Sequence, residues 1–301
     1  MQFTPETSGT VPIAKQPPWK MASSLLSPPS ATRCCISCSP AACRRALTRS
    51  VIVAVLAGAL LLAPAPAAAA EGPWQRLPAA AALLDGADPV TRGLSLELPL
   101  VADDGSAVAL TVAAEAPVEV IHLFATRNPA PEIAVYRFLD GQVQPRVATR
   151  VRLNESQTVI ALARTADGRW LAASREIRIT VSGCLARAED ADPDAEMSTR
   201  VRAPSRLRPG EAGELLAMIT HPMETGLREG ADGALVARRL VSEFEVALAG
   251  TPLFAAEFHA AVSANPFLRL QLAPEAAGEL ELRWVEDGGR EAVARAEVTL
   301  R

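Results

Sequence analysis

The way apolar residues fall along this sequence predicts an all-β chain of two β-sandwiches. From Leu94 to Val181, and again from Leu215 to Leu300, they come in short alternating runs, the period of a strand with one buried face. Turn-forming Asp and Gly residues separate the runs, and long helical periodicity is almost absent. Between the two series, Leu185–Thr199 reads LARAEDADPDAEMST, which is acidic and polar and has the composition of a linker. The predicted organisation is an export region at 1–70, a first sandwich at 71–184, the linker at 185–199 and a second sandwich at 200–301. Each β series has about the length of one immunoglobulin-like sandwich, roughly 100 residues.

The export region is read from Arg44, Arg45 and Arg49, which precede the uninterrupted apolar run Val51–Ala63. Small residues follow and end in Ala67-Ala68-Ala69-Ala70, so cleavage is expected after Ala70. Thirteen apolar residues before Pro64 fall short of the ~20 that span a bilayer, so no membrane attachment is expected after cleavage. Arg44-Arg45 fits the twin-arginine route. Met21 is the expected initiator. Cys34, Cys35, Cys38 and Cys43 lack the paired C-x-x-C spacing of a zinc module and would leave with the signal.

Six of the 30 basic residues and one of the 34 acids lie before residue 71. Beyond it stand 24 Arg, no Lys and 33 acids, a balance that argues against nucleic acid as a partner. In the first series, Ala79–Leu84 suggests one short helix. Leu94, Leu96, Leu98 and Leu100 alternate, and Asp103-Asp104-Gly105 signals a hairpin back into Val108, Leu110 and Val112. Val118–Phe124, Ile133–Phe138, Val159–Leu162 and Trp170–Ala172 are strand candidates, the last two flanking Asp167-Gly168. Ile177, Ile179 and Val181 close the series. In the second series, Leu215–Ile219, Arg239–Leu248, Leu253–His259 and Phe267–Leu272 read as strands. Leu280–Trp284 and Ala294–Leu300 form a hairpin around Asp287-Gly288-Gly289. Trp284, Phe254, Phe258 and Phe267 are expected in the core or between the sandwiches, and Arg238-Arg239 as surface charge.

Cys184 is the one cysteine of the exported chain, so no internal disulfide is possible. It follows Ser182-Gly183 at the end of the last alternation and precedes Leu185 and the linker. A buried inert thiol, an intermolecular disulfide and a reactive exposed thiol are the readings its position leaves open. No Gly-x-Ser-x-Gly elbow, phosphate loop or His-Glu-x-x-His is present, so a hydrolase of the serine type is unsupported.

Two segments carry a resemblance. His221-Pro222-Met223-Glu224-Thr225-Gly226 is similar to the HPMETG segment of the SoxZ family, and Phe258–Phe267, FHAAVSANPF, is similar to another stretch of it. Ile177–Cys184, IRITVSGC, resembles the final strand and terminal cysteine arm of SoxY. The whole exported chain resembles a fused SoxYZ carrier of the kind associated with quinoprotein dehydrogenases.

The resemblance implies a periplasmic, non-catalytic carrier without a cofactor of its own. Cys184 would hold a sulfur intermediate on an arm formed by Ser182, Gly183 and Leu185. Periplasmic redox enzymes would then act on the cargo: haem, dimanganese or molybdenum proteins, or a quinoprotein dehydrogenase system. His221, Met223, Glu224, His259 and Asn265 would lie near the arm or on the partner surface. The arm departs from the family's Gly-Gly-Cys-Gly-Gly, keeping one flanking glycine, and its cysteine is internal to the chain. A copper chaperone using His221, Met223 and His259 as soft ligands is the rival expectation.

Overall fold

The computed structural model describes residues 72–182, 196–230 and 232–301. The export region, Gly183, Cys184, Leu185 and the greater part of the linker therefore lie outside the described residues. Two short helices, α1 (Pro73–Arg76) and α2 (Pro78–Leu84), come first among the described residues. Proline stands at the start of each, where its missing N–H costs no helical hydrogen bond. The first half continues with β1 (Leu94–Glu97), β2 (Val101–Asp104), β3 (Val108–Ala114) and β4 (Val118–Ala125). It ends with β5 (Glu132–Phe138), β6 (Val143–Val151), β7 (Gln157–Thr165) and β8 (Trp170–Val181). The second half holds β9 (Thr199–Arg202), β10 (Ser205–Leu207), β11 (Gly213–Ile219) and β12 (Val241–Leu248). Then come β13 (Thr251–Phe258), β14 (Phe267–Leu272), β15 (Gly278–Glu286) and β16 (Glu291–Leu300).

The two sandwiches lie edge to edge, and both of their sheets run through. One sheet has the order β1-β3-β6-β14-β11-β9, the other β10-β16-β15-β12-β13-β5-β4-β7-β8-β2. The halves are sewn together by β6 against β14, with Leu270 opposite Val147, and by β13 against β5, with Phe254 opposite Phe138. Phe254 stacks on Tyr136 at 6.1 Å and meets Phe138 edge-on at 5.5 Å, and Phe244 continues the aromatic row to Trp284 at 4.9 Å. The expected inter-sandwich role of the aromatic residues is thus met by Phe254. Arg137 Nη2 and Glu257 Oε1 pair across the same seam at 3.1 Å.

Strand burial follows composition. β1 alternates buried and exposed, as its LSLE sequence requires. β7 is buried on nearly every residue, because its two faces meet two cores. Val159, Ala161 and Ala163 join the main core, while Ile160 and Leu162 pack outward with Phe124, Ala172, the helical residues Trp74, Ala80 and Leu84, and Leu77 between the helices. The helices therefore form a pad that seals the outer face of the sheet.

One expected hairpin is absent. β2 does not fold back on β3 but pairs in parallel with β8, in the other sheet. Pro99 supplies no ladder donor between β1 and β2, and the chain crosses between sheets there. Asp104 accepts from the Ser106 amide at 2.8 Å and caps the 3₁₀ turn Gly105–Ala107. The strand expected from Trp170 and the one expected from Ile177 are the single strand β8.

Candidate functional site

The strand registers bring the end of β8 and both motif segments to one end of the described fold. β8 rises to Ser182 at the end that also carries the loops 126–131, 152–156, 220–226 and 259–266. The chain re-enters there too. Thr199 opposes Ile219, and the Thr220 amide donates to Ser198 O at 2.8 Å. The last described residue before the linker, Ser182, and the first strand after it, β9, thus stand at the end that carries the two motif loops. A groove of about 660 Å³ lies at the opposite end, lined by Ala113–Glu119 and Phe138–Gly141 among others.

The two motif loops are locked together. The His221 amide donates to Asn265 Oδ1 at 3.0 Å, and the Asn265 amide donates back to His221 O at 2.8 Å. Met223 N–H donates to His221 Nδ1 at 3.1 Å, so the ring proton sits on Nε2, which donates to Glu286 Oε1 at 2.9 Å. Both side chains of that pair are buried. Burial pushes the His221 pKa down, and the Glu286 carboxylate pulls against that shift. Arg239 and Arg290 each stand 3.7 Å from Glu286, so the carboxylate sits among three nitrogen groups. Arg239, expected as plain surface charge, belongs to this cluster instead.

Met223 adopts a left-handed backbone, φ 53°, and Asn265 does so at φ 54°. Such conformations strain a side-chain-bearing residue, and asparagine least. Met223 is held by its surroundings: it is fully buried, and its sulfur accepts the Val241 amide at 3.4 Å. Arg152, from the first half, donates to Met223 O at 2.8 Å and to Pro222 O at 2.9 Å.

These contacts correct the expected surface. His221, Met223 and Glu224 are buried at 2%, 0% and 5% exposure and shape the loop without presenting themselves. Glu224 accepts from the Thr225 amide and from Arg228 Nε. Asn265 is exposed and His259 half-buried, so these two remain available to a partner. The copper ligand set is not assembled. Both ring nitrogens of His221 are engaged, the Met223 sulfur accepts an amide, and His259 lies near His122 on another face. Among the described residues no group of three or more His, Cys, Asp or Glu side chains is arranged to hold a metal.

Of the arm residues, Ser182 is described. It is exposed and donates to Asn154 O at 2.5 Å. Beside it Val181 is 51% exposed, and across the loop excursion 226–238 Leu227 and Leu235 are 53% and 67% exposed. The sequence reading missed Arg152, Asn128 and Glu286. A signal existed for Glu286, which continues the inward parity of Leu280, Leu282 and Trp284 and so places an acid in a core register. Arg152 and Asn128 fall in loops outside any periodicity.

Residues 80–184 match the family model of sulfur oxidation protein SoxY, and residues 201–297 that of sulphur oxidation protein SoxZ. The first match ends on Cys184. The two in one chain are consistent with a fused SoxYZ-like protein. Among solved structures, the sulfur carrier protein SoxY from Chlorobium limicola f thiosulfatophilum is 24% identical, covering 33% of this chain and 87% of that one, with a TM-score of 0.30. A putative superoxide reductase from Thermotoga maritima is 22% identical over 29% of this chain and 84% of that one, TM-score 0.27. Superoxide reductase (neelaredoxin) from Ignicoccus hospitalis is 16% identical over 30% and 81%, TM-score 0.27. No curated protein sequence matches the chain.

Proposed function

We propose that this chain, a SoxY domain joined to a SoxZ domain in one polypeptide, is a periplasmic carrier that holds a sulfur-containing intermediate covalently on Cys184. The observation that carries the reading is the coincidence of three features at one end of the fold. The SoxY match stops at Cys184, the last strand before it ends at exposed Val181, and both SoxZ-like loops stand at the end of the fold that this strand reaches. Two peptide units take the chain from Ser182 to Cys184, about 7 Å at full extension. The tether therefore limits how far the thiol can stand from Ser182.

The thiolate of Cys184 is the attachment group; a free cysteine of pKa ~8.5 supplies a minor fraction of it at neutral pH. Joining the Cys184 thiol to a second reduced sulfur, as in R–SH + R'–SH → R–S–S–R' + 2 H+ + 2 e−, sends two electrons to an acceptor that the carrier itself does not supply. That requirement fits redox enzymes as partners, of the haem, dimanganese or molybdenum Sox type or a quinoprotein dehydrogenase system. The carrier presents cargo and does not turn it over. Because its arm is tied at both ends and carries one flanking glycine, it would enter a wider channel than a free terminus needs.

Mass spectrometry of the protein isolated from its native host tests the reading in one measurement. The expected result is a chain starting at Glu71, with a sulfur-containing adduct on the peptide bearing Cys184. Cys184→Ala is expected to abolish the adduct and sulfur-oxidising function while leaving the unfolding temperature unchanged. A consistently unmodified Cys184, or full function in Cys184→Ala, would overturn it.

A further inference from the structure

Arg152 belongs to the first half of the chain, yet both of its terminal nitrogens donate to the second. They reach Met223 O at 2.8 Å and Pro222 O at 2.9 Å, and the residue is only 5% exposed. Its amide donates to Ala261 O at 2.7 Å, within the FHAAVSANPF loop. Its own carbonyl accepts Asn128 Nδ2 at 2.9 Å. One residue therefore touches both motif loops and the loop on the arm's side of the seam.

The contacts continue to the root of the arm. Asn128 Oδ1 accepts Gln157 Nε2 at 2.9 Å and the Asn154 amide at 3.1 Å, and Asn154 O accepts Ser182 Oγ at 2.5 Å. Gln157, itself buried, accepts the Arg127 amide at 2.8 Å and so fixes the loop that carries Asn128. From Pro222 to Ser182, two residues before Cys184, each link is a hydrogen bond. A planar guanidinium bridges two adjacent carbonyls in a way that an ammonium does not. Those carbonyls flank the left-handed Met223, whose backbone needs external support.

The geometry points to Arg152 as a positioning residue: it shapes the 221–226 loop and ties it, through Asn128 and Asn154, to the root of the arm. The partner-facing end of the carrier is then a composite, formed only when the two halves are docked. Its functional meaning rests on the carrier reading, but the coupling is measurable without cargo or partner.

The test is site-resolved amide hydrogen exchange on the full chain, comparing Arg152→Met, Arg152→Lys and the unaltered protein. Arg152→Met is expected to speed exchange at Met223, Asn265 and Asn154 by roughly tenfold or more relative to the core amides of Phe254 and Leu282. Arg152→Lys, which keeps the charge and a donor, is expected to lie between. Ser182→Ala removes an exposed hydroxyl and is expected to loosen Asn154 with the unfolding temperature unchanged. Exchange at the three loop amides that is unaltered, or that rises only in step with the core, would reduce Arg152 to a stability residue and overturn the proposal. If Arg152→Met fails to fold, Arg152→Lys decides by the same criterion. Failure of the carrier reading is seen separately, as an unmodified Cys184 in the unaltered protein.

Discussion

His122 sits on β4 between the helical pad and the seam, with the Phe124 ring at 6.4 Å and the Trp170 ring at 6.2 Å. Burial first, then the Arg137 and His259 charges, lower its pKa to about 4. The unfolded chain has no such environment, so the histidine binds its proton more readily there, near pH ~6.5. The folded state therefore keeps its full stability above that pH and loses it as pH falls from ~6.5 to ~4. The shift corresponds to at most about 3.5 kcal/mol, at ~1.4 kcal/mol per pH unit. His221 acts in the same direction, since burial lowers its pKa as well. Urea unfolding at a series of pH values is expected to show stability falling across this window. His122→Gln should flatten the curve and leave the slope due to His221. A curve equally steep in the variant would assign the acid sensitivity elsewhere.

The helices α1 and α2 earn their place through the face they cover, since neither is long enough to persist alone. Trp74, Leu77, Ala80 and Leu84 close the outer surface over Phe124, Ile160 and Leu162. Trp74→Ala is expected to cost about 3–5 kcal/mol, the usual scale for removing a large buried ring. It should also raise binding of an apolar dye, because the outer face of β7 becomes wet. Unchanged unfolding and no dye binding would show the pad to be dispensable. This element also marks how far the sequence could be read. The apolar run Val159–Leu162 reads as a strand and Ala79–Leu84 as a helix, but nothing local says that one covers the other. The Leu94–Leu100 alternation reads the same whichever sheet its ends join. The crossing at Pro99 was accordingly invisible, and the turn chemistry of Asp103-Asp104-Gly105 suggested a hairpin that did not form.

At the scale of the molecule, the two halves share two sheets and one aromatic row, so their association does not depend on the peptide that links them. Tethering raises the effective concentration of one half for the other to about the millimolar range. The seam strands β5, β13, β6 and β14 supply the contact itself. Proteolysis confined to residues 185–195 is expected to leave the halves together on a sizing column at micromolar concentration. Prompt separation would mean that the tether, and not the seam, maintains the pair. The edges of the ten-stranded sheet are β10 and β2, each paired in parallel, and the acidic Asp103-Asp104 pair on β2 disfavours further strand addition.

By itself the sequence determined the all-β class, the two series of strands, the position of Cys184 after the last strand of the first series and the two motif segments of the second. These are local properties, set by a two-residue period, by turn chemistry and by residue identity at short spacing. Tertiary structure alone decided that both sheets pass through the seam, and that His221, Met223 and Glu224 are buried. It also decided that Arg152 and Asn128 hold the motif loop to the arm's root. Arg152 and Pro222 are seventy positions apart, and a hydrogen bond over that separation leaves no periodic trace. Only the packing of one half against the other brings donor and acceptor together.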